Sequence, residues 1–335
     1  MMKAVVVGAG LSGSVASFLL RQKGFHVSIF DTRSHTAGNC FDYKKQNLFI
    51  HKYGPHTFHT NNEEVWKFVN TFCNFTPYCH KVEANTSEGR IPIPFNKTSL
   101  EILGPKTDNE IIDLVFKGYS QKMWGAPWES LPLSIQNRIV KFRDSYNSCY
   151  HEDKYQGIPE FGYTEMIKNM QDGCQVHLNC NSNDWRKQKY DILVYTGKID
   201  EYFNNCFGEL TYRSLQTSFK EADKQDCYQL NECTLKVPHT RTIDYSYING
   251  ELLKNGKTII ATEVPEEHIS GKNIPFYPKN FLKDSERHKK YIELAKKETN
   301  VIFLGRLASY KYLDMDIVVG QAISKIKKLY GQKTR

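Results

Sequence analysis

The sequence of 335 residues lacks a long hydrophobic run, and its first residues lack the pattern of a secretion signal. No segment approaches the roughly 18 apolar residues that a membrane span needs. The chain enters the strand-like run AVVVGAG almost at once, with no basic region, apolar core or cleavage site before it. We therefore expect a cytoplasmic protein without a membrane segment.

The sequence also lacks any CxxC pair, although it contains nine cysteines. Three cysteine pairs share one spacing, but that spacing matches no known pattern of zinc ligands. An odd number of cysteines in a chain without signs of secretion favours reduced side chains. We expect free thiols and no structural metal.

Clusters of charge of one sign are scarce. Lys and Arg total 45 against 37 Asp and Glu, which gives a net charge of +8, but the only dense basic run is in the last eleven residues. A nucleic-acid site would show clustered basic residues interleaved with aromatic ones in a known motif. We therefore expect no nucleic-acid partner, and we prefer a basic pocket for a small anionic molecule.

The first thirty residues predict a strand, a glycine-rich turn, a helix and a second strand. The apolar run KAVVV leads into Gly8, Gly10 and Gly13, and Asp31 ends the second strand. Glycines in this pattern permit a tight turn and a close approach of a pyrophosphate to a helix N-terminus, and the acid would bind a ribose. The segment predicts a Rossmann-type dinucleotide-binding unit, although a glycine turn made only for packing is the alternative.

No second GxGxxG motif occurs, so the sequence predicts no separate domain for a nicotinamide cofactor. Arg33 follows the acid, and a small-residue turn leads to Gly38 and Asn39. In many flavoproteins such a turn extends the pyrophosphate site, which favours FAD over NAD as the dinucleotide.

Three histidines, His51, His56 and His59, stand within nine residues. A metal site is one interpretation, but the segment contains no cysteine or acid, and Gly54 and Pro55 break any helix that would align the rings. Structural histidines are a second interpretation. We prefer the third, in which these side chains contact a cofactor or a sugar.

Two later features suggest a substrate site. A predicted helix over 110–121 runs into Tyr119, Trp124 and Trp128, close to glycine and proline, which indicates a loop with an aromatic floor or simply core packing. Arg213 and Arg241, on predicted strands, are candidates to bind an anion, although an arginine on a strand often faces solvent.

From about residue 174 the pattern changes to short alternating strands, which predict an antiparallel sheet inserted into the first architecture. The predicted strands are 174–178, 190–196, 211–219, 228–237, 242–248 and 257–263. A charged helix follows this region. The strand before Arg306 and the last helix then show the Rossmann pattern again. Both ends of the chain should therefore build one nucleotide-binding domain.

The chain resembles the UDP-galactopyranose mutase family over nearly its whole length. The strings that carry the resemblance are GAGLSG, IHKYGPHTFHTN, KGYSQKMWG, YQGIP, YRSL, VPHTR and GRLASYKYLDMD. The family implies an α/β fold with a Rossmann-type FAD-binding domain, an inserted antiparallel β-sheet domain and a small, truncated helical domain. The domains that it implies are 1–95 with 298–335 for FAD, 96–170 for the helical domain with a mobile substrate loop near 124–138, and 171–297 for the sheet.

The resemblance also implies roles for individual residues. The cofactor residues are Gly8, Gly10, Leu11, Ser12, Gly13, Asp31, Thr32, Arg33, Gly38, Asn39, His56, Arg306, Tyr312, Asp314 and Met315. The substrate residues are Tyr119, Trp124, Arg138, Tyr150, Arg241, Tyr277, Tyr312 and His59. Arg138, Arg241 and His56 are the implied catalytic residues, with the two arginines on the diphosphate and the histidine against the flavin ring.

The implied activity is the interconversion of UDP-galactopyranose and UDP-galactofuranose, an isomerisation that serves galactofuranose biosynthesis for cell-surface polysaccharides. In the family, N5 of reduced FAD forms an adduct with the sugar as UDP leaves, the ring recloses through another oxygen, and UDP returns. FAD is thus active when reduced by an external reductant, and no net redox change occurs. The alternatives are a mutase or epimerase for a different nucleotide sugar, a flavin oxidoreductase, and an inactive nucleotide-sugar binder.

The chain departs from the family in several places. The segment between Asn96 and Lys117 is short, and the family takes its homodimer contacts from this region, so the oligomeric state stays open. Around the sugar, Met123 and His239 replace the family's usual residues. The sequence therefore leaves the choice of nucleotide sugar open.

Overall fold

The computed structural model describes residues 2–137 and 142–331. The strands are β1 (Lys3–Val7), β2 (His26–Phe30), β3 (Asp42–Lys45), β4 (Leu48–His51), β5 (Phe58–Thr60), β6 (Phe75–Pro77), β7 (Val82–Asn85), β8 (Arg90–Ile93), β9 (Tyr155–Pro159), β10 (Gln175–His177), β11 (Ile192–Tyr195), β12 (Tyr212–Ala222), β13 (Gln229–Glu232), β14 (Arg241–Asp244), β15 (Thr258–Glu267), β16 (Tyr277–Pro278) and β17 (Val301–Phe303).

The α-helices are α1 (Leu11–Gln22), α2 (Glu63–Asn70), α3 (Lys97–Leu103), α4 (Asp108–Ile111), α5 (Gly118–Trp124), α6 (Leu133–Gln136), α7 (Tyr163–Gln171), α8 (Ile199–Tyr202), α9 (Ser246–Asn249), α10 (Leu282–Ala295), α11 (Gly305–Ala308) and α12 (Met315–Gly331). A π-helical turn, Ile112–Lys117, joins α4 to α5. No helix in the described ranges has both the length and the apolar character needed to cross a membrane.

A five-stranded parallel sheet in the order β10-β2-β1-β11-β17 forms the nucleotide-binding part. Its central strand β1 is apolar after Lys3, and Ala4, Val5 and Val6 are buried because helices or loops cover both faces. Val6 packs into the core that α1, α7 and α12 share, whereas Val5 packs on the other face with Trp185 and Leu193. This is the predicted Rossmann-type arrangement, and it includes both ends of the chain.

The second large sheet has seven strands in the order β16-β12-β15-β14-β13-β7-β8. Its neighbours are antiparallel except for the β13/β7 pair. The long strands β12 and β15 pair in register from Arg213 opposite Glu267 to Ala222 opposite Thr258. The predicted antiparallel sheet is therefore confirmed.

Our assignment of strands to sheets is wrong for two strands. β10 and β11, expected in the antiparallel sheet, pair with β2 and β1 in the parallel one. The four residues of β11 are all buried, which is typical of a parallel strand covered on both faces. Conversely, β7 and β8 lie within 1–95 but join the seven-stranded sheet, because β7 pairs with β13. The domain boundaries themselves stay a prediction.

The short helices α3 to α6 form the reduced helical region, and part of it packs on Ile91, Ile93 and Phe95. The expectation of free thiols is wrong for one pair, because Cys79 and Cys149 form a disulfide with Cα atoms 5.3 Å apart. They lie 70 residues apart in the sequence, Cys79 before β7 and Cys149 after α6, so their spacing carried no signal. The other seven cysteines are free.

Candidate functional site

A cavity of about 850 Å³ opens at the carboxyl ends of β1, β2 and β11, where nucleotides bind in folds of this kind. Most of the predicted cofactor residues line it. They are Gly8, Gly10, Leu11, Ser12, Asp31, Thr32, Arg33, Gly38, Asn39, His56, Arg306 and Met315. Gly13, Tyr312 and Asp314 are not among its lining residues.

Two glycines of the motif are required by close approaches. Gly8 has φ +103°, and a Cβ atom on it would stand 2.0 Å from Oγ1 of Thr196. A Cβ on Gly13 would stand 2.0 Å from the carbonyl oxygen of Gly8, so this glycine lets α1 pack against β1. Gly10 caps α1 without a side-chain hydrogen bond, which leaves N–H groups of the first turn available to an anion.

Asp31 and Arg33 shape the polar side of the cavity. The Asp31 carboxylate accepts hydrogen bonds from the backbone N–H of Ala9 at 2.8 Å and of Arg33 at 2.9 Å. Arg33 donates through Nη2 to Oδ1 of Asn39 at 2.8 Å, while its buried Nη1 has no partner within the described residues. A buried guanidinium nitrogen without an acceptor fits an anionic group such as a pyrophosphate.

The far end of the cavity is lined by His56 and Arg306. Burial, followed by the nearby His51 and Arg306, lowers the pKa of His56 to about 3, so its ring is neutral at pH 7. The Arg306 guanidinium lies 5.1 Å from the ring centroid of Tyr277 and 4.9 Å from that of Tyr312. These two tyrosine rings stack with centroids 5.3 Å apart.

Arg241 occupies the centre of the predicted substrate residues. Its Nε donates to Oε2 of Glu263 at 2.6 Å, and the glutamate side chain is only 1% exposed. Tyr119 and Tyr277 lie close enough to interact electrostatically with Arg241. Burial raises the pKa of Tyr277 to about 12 and also raises that of Tyr119, so both phenols keep the proton that a hydroxyl donates.

Aromatic contacts connect this cluster to the far end of the cavity, where Arg306 lies. The Trp124 ring lies 6.3 Å from Tyr277 and 6.4 Å from Tyr312, measured between centroids. Tyr150 interacts with Tyr119, and its backbone N–H donates to the carbonyl of His80 at 2.7 Å. The structure therefore brings together most of the predicted substrate residues, which are Tyr119, Trp124, Tyr150, Arg241, Tyr277 and Tyr312.

The remaining predicted substrate residues are Arg138 and His59. Arg138 lies outside the residues that the structure describes. His59 bonds through Nδ1 to Oδ2 of Asp153 at 2.8 Å and stacks on His151, with ring centroids 3.6 Å apart.

Arg213 was a candidate anion ligand, and this interpretation is wrong. Its guanidinium is buried and donates to the carbonyl of Met123 at 2.8 Å, to that of Lys122 at 3.1 Å and to Glu267 at 2.7 Å. These bonds attach the end of α5 to β12 and β15, so Arg213 supports the helix that carries Tyr119 and Trp124. Its position in a strand could not show which acceptors α5 would bring.

Glu263 is the functional residue that sequence reasoning missed. It lies on β15 opposite Arg241 of β14. A buried acid in a strand of alternating polarity gives no local signal, because its partner is twenty-two residues away on another strand.

Comparisons with known proteins agree with this geometry. The sequence model of the UDP-galactopyranose mutase family matches residues 114–312, and that of an NAD(P)-binding Rossmann-like domain matches residues 6–72. The chain is 32% identical to the UDP-galactopyranose mutase of Mycoplasma pneumoniae, covering 97% of this chain and 95% of the relative. It is 31% identical to the dTDP-fucopyranose mutase of Escherichia coli, covering 96% and 97%. A crystal structure of reduced UDP-galactopyranose mutase superposes with a TM-score of 0.76 at 12% identity over 100% of this chain and 97% of the other, a similarity of fold.

Proposed function

The chain belongs to the UDP-galactopyranose mutase family, whose members are isomerases, and we propose that it interconverts UDP-galactopyranose and UDP-galactofuranose with bound FAD. The observation that carries the proposal is the convergence of Arg241, Tyr119 and Tyr277 beside the flavin end of the nucleotide cavity. An external reductant would keep the flavin reduced. The cytoplasmic location stays a prediction.

The residues of the cavity fit a flavin dinucleotide. The N-terminus of α1 and the unpartnered Nη1 of Arg33 would hold the pyrophosphate, and Asp31 retains acceptor sites for a ribose hydroxyl. His56, Arg306 and Met315 line the opposite end, where the ring system would lie. When bound and reduced, FAD supplies the nucleophile that holds the sugar while its ring changes size.

Arg241 would bind the diphosphate of the substrate. Nε of Arg241 donates to Glu263, and its two terminal nitrogens have no acceptor among the described residues. They would donate to phosphate oxygens in the bidentate geometry that arginine favours. Gly54 lets the chain pass close by, since a Cβ there would stand 3.3 Å from Nη2 of Arg241 and 3.1 Å from Oε1 of Glu263.

The phenols add neutral donors to this positive group. Tyr119 and Tyr277 keep their protons and can donate to oxygens that gain charge as UDP leaves the anomeric carbon. Preorganised donors aimed at developing charge lower a barrier most effectively where water is excluded. Tyr150 and Arg138 would complete this set, with Arg138 entering from the loop near 124–138.

A different nucleotide sugar is the second candidate substrate. The relative from Escherichia coli is named for dTDP-fucopyranose and is as similar to this chain as the UDP-galactose relatives are. Met123, one of the departures from the family pattern, packs against the cluster of Trp124, Leu215 and Phe276. This is the wall of the substrate cluster where a changed residue could alter the choice of sugar.

The test is to incubate dithionite-reduced, FAD-loaded protein with UDP-galactofuranose and to separate the products by chromatography. We expect UDP-galactopyranose to form without stoichiometric use of reductant, and Arg241→Ala to lose turnover while it retains flavin. The oxidised protein is the matched control. No conversion by the folded, reduced protein contradicts this substrate, and conversion of dTDP-fucopyranose in a parallel reaction supports the second candidate.

A further inference from the structure

We propose that His59, His151 and Asp153 form a binding site for a divalent transition metal such as zinc. One ligand atom from each of the three side chains lies within 4.8 Å of the others. Two imidazoles and a carboxylate are ligands that zinc accepts. Zinc binding at this site requires neither flavin nor sugar, so its test is independent of the test of the proposed function.

Asp153 is held in place by its neighbours. Its Oδ2 accepts from Nδ1 of His59 at 2.8 Å, and its Oδ1 accepts from Nδ2 of Asn61 at 2.7 Å. Asn61 in turn accepts from the backbone N–H of Lys154 at 2.8 Å. A metal would replace the proton that Nδ1 of His59 shares with Oδ2 of Asp153, so these two ligand atoms are already held 2.8 Å apart.

Hydrogen bonds do not fix the ring of His151. Within the described part of the chain its carbonyl accepts a hydrogen bond from Gln156, but no hydrogen bond engages its ring nitrogens. The ring can therefore turn without breaking a polar contact.

Metal binding requires that turn. The two imidazole planes are 13° apart, so their in-plane lone pairs run side by side instead of meeting. Tetrahedral zinc with bonds of about 2.0–2.1 Å needs ligand atoms about 3.3 Å apart, which is closer than the present limit of 4.8 Å. Rotation of the His151 ring about its Cβ–Cγ bond would direct a nitrogen toward His59 and Asp153.

The surroundings balance the charge of a cation. Asp153 is itself a ligand, and Asp314 acts electrostatically on His151 from the opposite segment. Arg143 is a cation that acts against metal binding at His151, but its Nε pairs with Glu152 at 3.1 Å. The side chains of His59 and Asp153 are 19% and 23% exposed, so a metal could enter from solvent and keep water as a fourth ligand.

Zinc binding to the FAD-loaded protein tests the proposal. The protein is stripped with EDTA, exchanged into buffer at pH 7.5 and titrated with ZnCl2, and bound zinc is counted after gel filtration. We expect one tightly held zinc per chain, with affinity lost in His151→Ala and lowered about tenfold or more in Asp153→Asn. His26→Ala removes an exposed imidazole on β2 and serves as the matched control with unchanged zinc.

X-ray absorption of the zinc-loaded wild type decides the ligands without any variant. Nitrogen and oxygen neighbours at about 2.0–2.1 Å, with the scattering of two imidazoles, support the site. A sulfur shell at about 2.3 Å would assign the zinc to the free thiols and overturn the proposal. Absence of retained zinc, or full retention in His151→Ala, also overturns it.

Discussion

Replacement of Glu263 by glutamine tests how Arg241 is positioned. The glutamate is 1% exposed and its Oε2 lies 2.6 Å from Nε of Arg241, whose side chain is 17% exposed. Glutamine keeps an acceptor for Nε but removes the negative charge. The guanidinium would then be a nearly buried charge without its counter-ion and free to turn within its site.

The magnitude follows from this burial. Removal of one partner from a buried ion pair costs about 3–5 kcal/mol of unfolding free energy, and the retained hydrogen bond places the expected loss near the lower limit. Misplacement of a phosphate-binding group by about 1 Å costs on the order of 100-fold in rate. We therefore expect Glu263→Gln to lose about 3 kcal/mol of stability and on the order of 100-fold in kcat/KM, with flavin still bound.

Glu221→Gln is the matched control, because Glu221 lies on the neighbouring strand β12 and pairs with Lys45 at 2.7 Å, but the side chains of Lys45 and Glu221 are 45% and 42% exposed. Such a half-exposed pair contributes at most about 1 kcal/mol. Urea unfolding gives the stability, and the chromatographic mutase assay with reduced protein gives kcat/KM. If Glu263→Gln changes both quantities as little as Glu221→Gln does, the positioning role of Glu263 is refuted.

Three further predictions rest on other parts of the structure. Serine at both Cys79 and Cys149 should destabilise the protein by about 4 kcal/mol, because the disulfide closes a loop of 70 residues, and a thiol titration of the unreduced, denatured wild type should find seven thiols rather than nine. Gly13→Ala should abolish flavin retention, since its Cβ would stand 2.0 Å from the Gly8 oxygen, whereas Gly320→Ala, with 3.6 Å to its nearest neighbour, should retain flavin in the same absorbance assay. Burial lowers the pKa of His80 from 6.5 to about 3, so the unfolded state binds the proton first and the unfolding free energy should fall by about 1.4 kcal/mol per pH unit below about pH 6.5; urea titrations should show this slope reduced in His80→Phe.

The nucleotide-binding part could be predicted because its signals are local. A strand, a glycine turn, a helix and Asp31 follow one another within thirty residues, and backbone geometry ties each to the next. The strands around 175 and 192 could not be assigned to a sheet in the same way. The apolar residues of a short strand indicate that the strand is buried, but they do not indicate which strands it pairs with. β11 pairs with β1 on one side and with β17 on the other, and both are far from it in the sequence.

The candidate site shows the same division between local and distant information. Arg213 and Arg241 both stand on strands of one sheet, and nothing in their immediate neighbours separates them. The structure separates them by what else reaches each guanidinium. Carbonyl groups from the end of α5 and Glu267 accept hydrogen bonds from Arg213, whereas among the described residues Arg241 donates only through its Nε, to Glu263.

The partly engaged arginine is the one suited to a ligand. A guanidinium carries five N–H donors. A guanidinium whose donors are all bonded to acceptors within the protein can only support the fold. One that is oriented by a single buried carboxylate keeps its two terminal nitrogens for a second anion, and that anion then experiences a charge whose position is already fixed. The difference between a structural and a functional arginine in this sheet is therefore the number of acceptors that the fold supplies, which is why Glu263, and not Arg241 alone, should control turnover.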